Sequence, residues 1–209
     1  MMKQGSRYTF YDWIARNDND RTTYIDTEYN VNRATIYAFE GSFARLGNIP
    51  SNYDLHAIFT CSLDAANVLN FGLLGRNKNT GSLIAFNYNS RANGGTYAGK
   101  PTTAINVGEW HTFNLHATEG VTYGGTLTLD GVDTSLKGAN INAATLSIKL
   151  LAGYPAKLGR FKIYENDVLM ADLIPATDAG DNIGVYDVVR DAFYTPTGDA
   201  SLFSIGNNT

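Results

Sequence analysis

Apolar and polar residues alternate along much of this chain with a period of two, the spacing that turns one set of side chains into a sheet's core and the other toward solvent. Leu55, Ala57, Phe59 and Cys61 alternate with His56, Ile58 and Thr60, and His111, Phe113, Leu115 and Ala117 alternate with Trp110, Thr112, Asn114 and His116. Further strands are predicted in RATIYAFEGSF (33–43), VLNFGLLGR (68–76), GSLIAFNYN (81–89), GTLTLDG (125–131), TLSIKLLAG (145–153) and GRFKIYE (159–165). The stretch NAATLSIKLL could be argued as a helix, but its Thr and Ile content and flanking Gly favour a strand. Between the strands lie RNKNTG (76–81), SRANGG (90–95), ATEG (117–120) and the pair Asp130-Gly131, whose tolerance of positive φ suits a hairpin.

Many short strands without intervening helices predict an all-β fold, an antiparallel sandwich or barrel. No linker, repeat or composition shift divides the chain, so residues 1–209 read as one domain with its core over about 11–203. Residues 1–10 and the tail after Phe203, short and polar, are expected at the periphery. In the last third, Phe161 and Ile163 point one way, Glu165-Asn166-Asp167 form a hairpin turn, and Val168 to Leu173 return. Pro175 is expected to stop that strand. The fragment DNIGVYDVVRDAFY (181–194) predicts a strand through Ile183 and Val185. A small hairpin then turns near Arg190-Asp191, and Phe193 closes onto the core.

Composition agrees with such a fold and removes several functions. With 44% apolar and 17% charged residues, the chain can bury a real core. Its 21 Gly and 13 Tyr suit strands joined by tight turns. A net charge of −4 without a Lys/Arg cluster excludes the concentrated positive face that a nucleic-acid backbone requires. Cys61 is the only cysteine, which leaves no intrachain disulfide and no cysteine-based metal cluster. The start MMKQGSRYTFYDWIARND has no apolar signal region, and no apolar run approaches the roughly 20 residues of a membrane span.

YDWI (11–14) followed by TTYIDTEY (22–29) is similar to the opening of the concanavalin A-like, laminin-G-like jelly-roll modules of gut-bacterial surface proteins and their phages. GRFKIY (159–164), DLIPA (172–176), GVYD (184–187) and FY (193–194) resemble that family's closing segment. The resemblance spans roughly residues 11–203 and implies a single antiparallel β-sandwich, a concanavalin A-like jelly roll whose first and last strands pair side by side. It departs at ARNDNDR (15–21), where the family has a shorter, glycine-containing turn.

Catalytic relatives on this sandwich carry carboxylates at alternate positions of one strand, because two acids must flank a glycosidic bond. No such run is present, and the pairs Glu165/Asp167, Asp130/Asp133 and Asp178/Asp181 fall in turns, so the chain is expected not to be an enzyme. His111 and His116, five apart on one strand, face opposite ways and cannot share a zinc ion. Cys61 reads as a small buried side chain. Gly75 to Gly81 lacks the phosphate-loop lysine, and GGTYAG (94–99) has the wrong spacing for a dinucleotide fingerprint. Loops rich in Asp and Asn are usually turns, so no cofactor is expected; the alternative is calcium, for which ARNDNDR (15–21) or ATDAGDN (176–182) would supply oxygen ligands.

Sugar recognition needs flat aromatic faces beside amide and carboxylate groups, gathered on loops of a rigid scaffold. NYNSRANGGTY (87–97) offers Tyr88, Asn89, Arg91, Asn93 and Tyr97, and EGVTYGG (119–125) adds Tyr123, with Tyr53 and Tyr154 as further candidates. These are the predicted ligand-binding residues. The expected function is a non-catalytic, carbohydrate-binding recognition module, exposed on a virion or cell surface and serving adhesion. The alternative is a purely structural virion subunit such as a decoration, fibre or tail protein. The expected partners are cell-surface glycan or other virion proteins, possible further copies of the chain, and neither nucleic acid nor membrane.

Overall fold

A computed structural model of the chain describes residues 7–18, 22–32, 35–48, 57–61, 72–75, 83–86, 102–117, 125–136 and 145–208. In chain order the strands are β1 (Tyr8–Phe10), β2 (Trp13–Arg16), β3 (Tyr24–Val31), β4 (Tyr37–Arg45), β5 (Ala57–Thr60), β6 (Gly72–Gly75), β7 (Leu83–Phe86), β8 (Trp110–Ala117) and β9 (Gly125–Leu129). They continue as β10 (Val132–Leu136), β11 (Leu146–Ala152), β12 (Ala156–Glu165), β13 (Val168–Asp178), β14 (Ile183–Asp187), β15 (Ala192–Tyr194), β16 (Pro196–Thr197) and β17 (Phe203–Gly206).

An 11-stranded sheet runs in the order β10-β9-β8-β4-β12-β13-β14-β15, with β1 beside β13 and β2 between β12 and β17. A 6-stranded sheet runs β16-β3-β11-β5-β6-β7. The strand pairs are antiparallel. The alternation on β8 does what its pattern requires: His111, Phe113 and Leu115 are buried, Thr112 is exposed, and His116 lies on the face opposite His111. NAATLSIKLL supplies β11, a strand. Asp130 and Gly131 have φ of 50° and 79°, and Asn166 and Asp167 have φ of 47° and 64°, so both hairpins turn through the left-handed region that matches strand twist.

The sheets meet through aromatic side chains. Phe59 of β5 reaches across from the smaller sheet to Phe39 at 5.1 Å, Phe161 at 5.1 Å and Phe113 at 5.6 Å between ring centroids. Cys61 is buried with them.

The closing segment is held by one carboxylate. Asp187 is fully buried, and its Oδ1 accepts from the backbone N–H of Asp172 at 3.0 Å, Val189 at 3.0 Å and Arg190 at 3.3 Å. Its Oδ2 accepts from Arg190 Nε at 2.5 Å. Arg190 in turn donates from Nη2 to the Thr27 carbonyl at 2.8 Å and lies over the rings of Tyr29 and Tyr194, tying the 188–191 turn of the larger sheet to β3 of the smaller. DNIGVYDVVRDAFY is therefore a fold element, with the predicted hairpin in place.

Some expectations are corrected. Pro175 does not stop its strand: β13 runs through it to Asp178, with Pro175 opposite Val185 of β14. Its carbonyl accepts from Tyr11 N–H at 2.9 Å, on the flank where β13 passes from β12 to β1. In an extended strand a residue's N–H and C=O share one side, so the missing donor faces that gap and no bond to β14 is lost. Tyr8–Phe10 and residues 204–206, expected at the periphery, are strand residues. β1 pairs with β13, and β17 pairs with β2, Phe203 opposite Arg16 and Gly206 opposite Trp13. This is the first-to-last pairing the resemblance implies. Ala15 and Arg16 of the ARNDNDR stretch belong to β2 and are buried. Finally, Tyr194 packs against the core, whereas Phe193 stacks on Tyr8 at 5.2 Å beside Gly184. A Cβ on Gly184 would lie 2.3 Å from the Tyr194 carbonyl oxygen, so only glycine fits there.

Candidate functional site

The predicted ligand residues Tyr88, Asn89, Arg91, Asn93, Tyr97 and Tyr123, together with Tyr53 and His56, lie outside the described residues. Tyr154 is fully buried, and burial pushes its phenol pKa up, so it offers no ring face to a ligand. Of the acid pairs expected in turns, Asp130 and Asp167 lie in hairpin turns and Asp181 in the connection after β13, whereas Asp133, Glu165 and Asp178 are strand residues of β10, β12 and β13. Asp178 spends its carboxylate on the turn that follows it, accepting from Gly180 N–H at 2.8 Å and Asn182 N–H at 3.0 Å, and Asp18 accepts from Arg16 Nε at 2.5 Å. Among the described residues, no three His, Cys, Asp or Glu side chains gather as a metal set.

A site that the loops did not announce lies on the outer face of the larger sheet. Register aligns Asp133 of β10, Thr128 of β9, Asn114 of β8, Glu40 of β4, Lys162 of β12 and Asp172 of β13 in one cross-strand row. Except for Asp133, each is the polar partner of a buried neighbour, such as Leu129, Phe113, Phe39 or Phe161. Over this row opens a cleft of about 370 Å³ lined by Glu40, Ser42, Thr112, Asn114, Thr128, Arg160 and Lys162.

A β-bulge shapes the cleft. Pairing of β12 with β4 shifts between Leu158 and Phe161, so Gly159 and Arg160 together oppose Ser42. The extra residue brings Arg160 onto the outer face, as bulges do where a side chain must be re-aimed. Gly159 makes this possible: a Cβ there would fall 2.4 Å from Ser42 Oγ. Arg160 then binds Asp172 with Nε on Oδ1 at 2.5 Å and Nη2 on Oδ2, and that hydrogen bond raises its pKa.

Glu40 is the hub of the row. Its Oε1 accepts from Asn114 Nδ2 at 3.1 Å, and its Oε2 accepts from Tyr164 OH at 3.0 Å with Lys162 Nζ 4.0 Å away. Burial, and then this bond to Glu40, push the Tyr164 phenol pKa up. Among the described residues, Asn114 Oδ1 is buried with no donor in reach. Thr128 Oγ1 donates to Asp133 at 2.7 Å. Among the described residues the arrangement is a fixed array of hydrogen-bond donors and acceptors.

Beside the cleft, His111 donates from Nδ1 to Asp130 Oδ2 at 2.6 Å, while Thr112 N–H donates to Asp130 Oδ1 at 2.8 Å. Partial burial raises the Asp130 pKa, but these bonds outweigh it and hold the carboxyl below its ordinary value. Because the folded pKa is depressed, the stabilisation is present above the unfolded value of about 3.9 and is lost as pH falls through the folded one. Asp130→Asn, which tolerates the same positive φ, is expected to lower the thermal midpoint at neutral pH. The two proteins' midpoints should converge below about pH 4, as a pH series of melting curves would show.

Order and register define the class: the chain has an all-β, antiparallel β-sandwich fold of the concanavalin A-like jelly-roll type. No protein-family model matches the sequence, and no curated protein matches it. Among solved structures it resembles a native heptameric SAP-like pentraxin from Limulus polyphemus, with 11% identity over 76% of this chain and 77% of that chain and a TM-score of 0.50. It also aligns with domains LG4-5 of the mouse laminin α1 chain, with 15% identity over 78% of this chain and 44% of that chain and a TM-score of 0.46. The chain thus spans under half of the laminin fragment. Among the described residues, no helix is long and apolar enough to cross a membrane.

The sequence signal for the cleft was present but local. Glu40 and Ser42, Thr112 and Asn114, and Lys162 are the polar members of alternating strands, and nothing in one strand's pattern tells which polar residues on other strands stand beside it.

Proposed function

We propose that this protein is a non-catalytic recognition module that binds carbohydrate in the outer-face cleft. The observation that carries the reading is the Asp133–Thr128–Asn114–Glu40–Lys162–Asp172 row, a rigid sheet-borne set of donors and acceptors of the kind sugar hydroxyls require. The row supplies its own polar groups, so binding needs no cofactor. Tyr88, Asn89, Arg91, Asn93, Tyr97 and Tyr123 are proposed as further contacts. In support, the connection carrying Tyr123 joins Ala117 to Gly125, the end pair of the β8–β9 ladder that contributes to the row. The similarity of the opening and closing segments to phage and gut-bacterial modules supports a role as a virion adhesion or surface-exposed protein.

A glycan array tests the reading. Asn114→Ala is expected to weaken binding by about tenfold or more, the loss of one hydrogen-bonding group in a site built for it. Tyr88→Ala, Arg91→Ala and Tyr97→Ala probe the connection between residues 87 and 97. Folded protein that binds no glycan would sink the proposal. The second reading, a structural virion subunit, is favoured by the exposed Phe10, Val188 and Val189, apolar side chains suited to protein contacts.

A further inference from the structure

We propose that the cleft takes an acidic sugar, its carboxylate or sulfate group held by Lys162 and Arg160 with the Ser42 hydroxyl. This rests on reading the cleft as a glycan site and names the class of glycan.

The argument is an accounting of unspent hydrogen-bonding groups. Glu40, the acid lining the cleft, is engaged by Asn114 and Tyr164, and beside the cleft Asp133 is engaged by Thr128 and Asp130 by His111 and Thr112. The donors are not fully engaged. Lys162 Nζ lies 4.0 Å from Glu40 Oε2 and interacts with the Tyr164 hydroxyl, which leaves at least one of its three N–H groups for a ligand. Ser42 Oγ, seated over Gly159, has no hydrogen bond among the described residues.

Presented charge points the same way. In the Arg160–Asp172 pair the arginine side chain is 53% exposed and the aspartate 6%, so the cation faces the cleft and its counter-ion lies beneath. Arg160 is already oriented by Asp172, so no side-chain entropy is lost in positioning it for a ligand. The chain as a whole carries −4, which gives a polyanion no long-range attraction. Affinity for an acidic glycan would come from this cleft and not from general basicity.

Calorimetric titration with polygalacturonate oligomers, dextran sulfate and neutral dextran tests the idea. At least one of the two acidic probes is expected to bind more tightly than dextran, and to weaken as salt rises from about 0.05 to 0.5 M. Preference for polygalacturonate would identify a carboxylate, and preference for dextran sulfate a sulfate ester. Lys162→Met, which keeps the apolar stem, should weaken the preferred acidic probe by about tenfold or more, a larger loss than for any neutral glycan, and leave the melting temperature unchanged. Neutral glycans bound through Asn114 without any preference for acid would overturn this inference and leave the carbohydrate reading standing. Acidic binding that Lys162→Met does not alter would also overturn it. Absence of binding to any glycan would remove both.

Discussion

Asp187→Ala is expected to cost about 3–5 kcal/mol of folding stability, measured as a lowered denaturant midpoint at constant slope. The side chain is fully buried and serves the N–H groups of Asp172, Val189 and Arg190 as well as the Arg190 guanidinium. Removing it orphans three buried or half-buried backbone donors at once and leaves Arg190 without its counter-charge. Arg190 would then be free to leave the Thr27 carbonyl, which uncouples the 188–191 turn from the smaller sheet. Asp187→Asn keeps the shape and one acceptor oxygen but sets an amide N–H₂ against the guanidinium or the backbone donors. Its loss should be smaller than that of the alanine variant and still clear. An alanine variant within about 1 kcal/mol of the parent, the net worth of one ordinary hydrogen bond, would show that the turn holds without the carboxylate.

Phe59→Ala should rank close behind, at about 3–5 kcal/mol. Phe59 is the ring through which β5 touches three aromatic side chains of the opposite sheet, Phe39, Phe113 and Phe161. Its removal leaves a cavity bounded on several sides by other rings and by strand backbone, which cannot collapse to fill it. Phe59→Leu retains most of the buried area and should lose much less. Denaturant unfolding of the pair separates the cavity cost from loss of aromatic contact, and equal losses would assign the effect to ring stacking.

These two residues show what was legible in the chain and why. Phe59 sits in a strand whose alternation marks it as core, because burial of a half-sheet is written as period two in the strand itself. Asp187 is legible only as a member of a resembling closing segment: its partners at 172, 189 and 190 are local, but nothing in the residue type says that it is buried. Pro175 was misjudged because a proline costs a strand only on the side where its N–H would have been used, and sequence does not say which flank is vacant. The FSIG of β17 was too short and polar to read as a strand until β2 stood beside it. The cleft was hidden for the same reason on a larger scale. Asp133, Thr128, Asn114, Glu40, Lys162 and Asp172 come together through ladders between strands far apart in the chain, and a bulge at Gly159-Arg160 decides which face the arginine occupies.

The pairing of β17 with β2 sets the order of events during biosynthesis. Asp12 N–H bonds the Gly206 carbonyl at 3.1 Å, and Asn208 N–H bonds Asp12 Oδ2 at 2.9 Å, so the ladder joins nearly opposite ends of the described chain. Contacts of such sequence separation are slow to form, because loop closure must be met before they stabilise anything. On the ribosome, β2 emerges early and can dock on β12 only after residue 165 is available, while its other flank waits for residues 203–206. Until those residues clear the exit tunnel, that flank is an open strand edge, where a nascent chain is exposed to pairing with a neighbour on the same messenger.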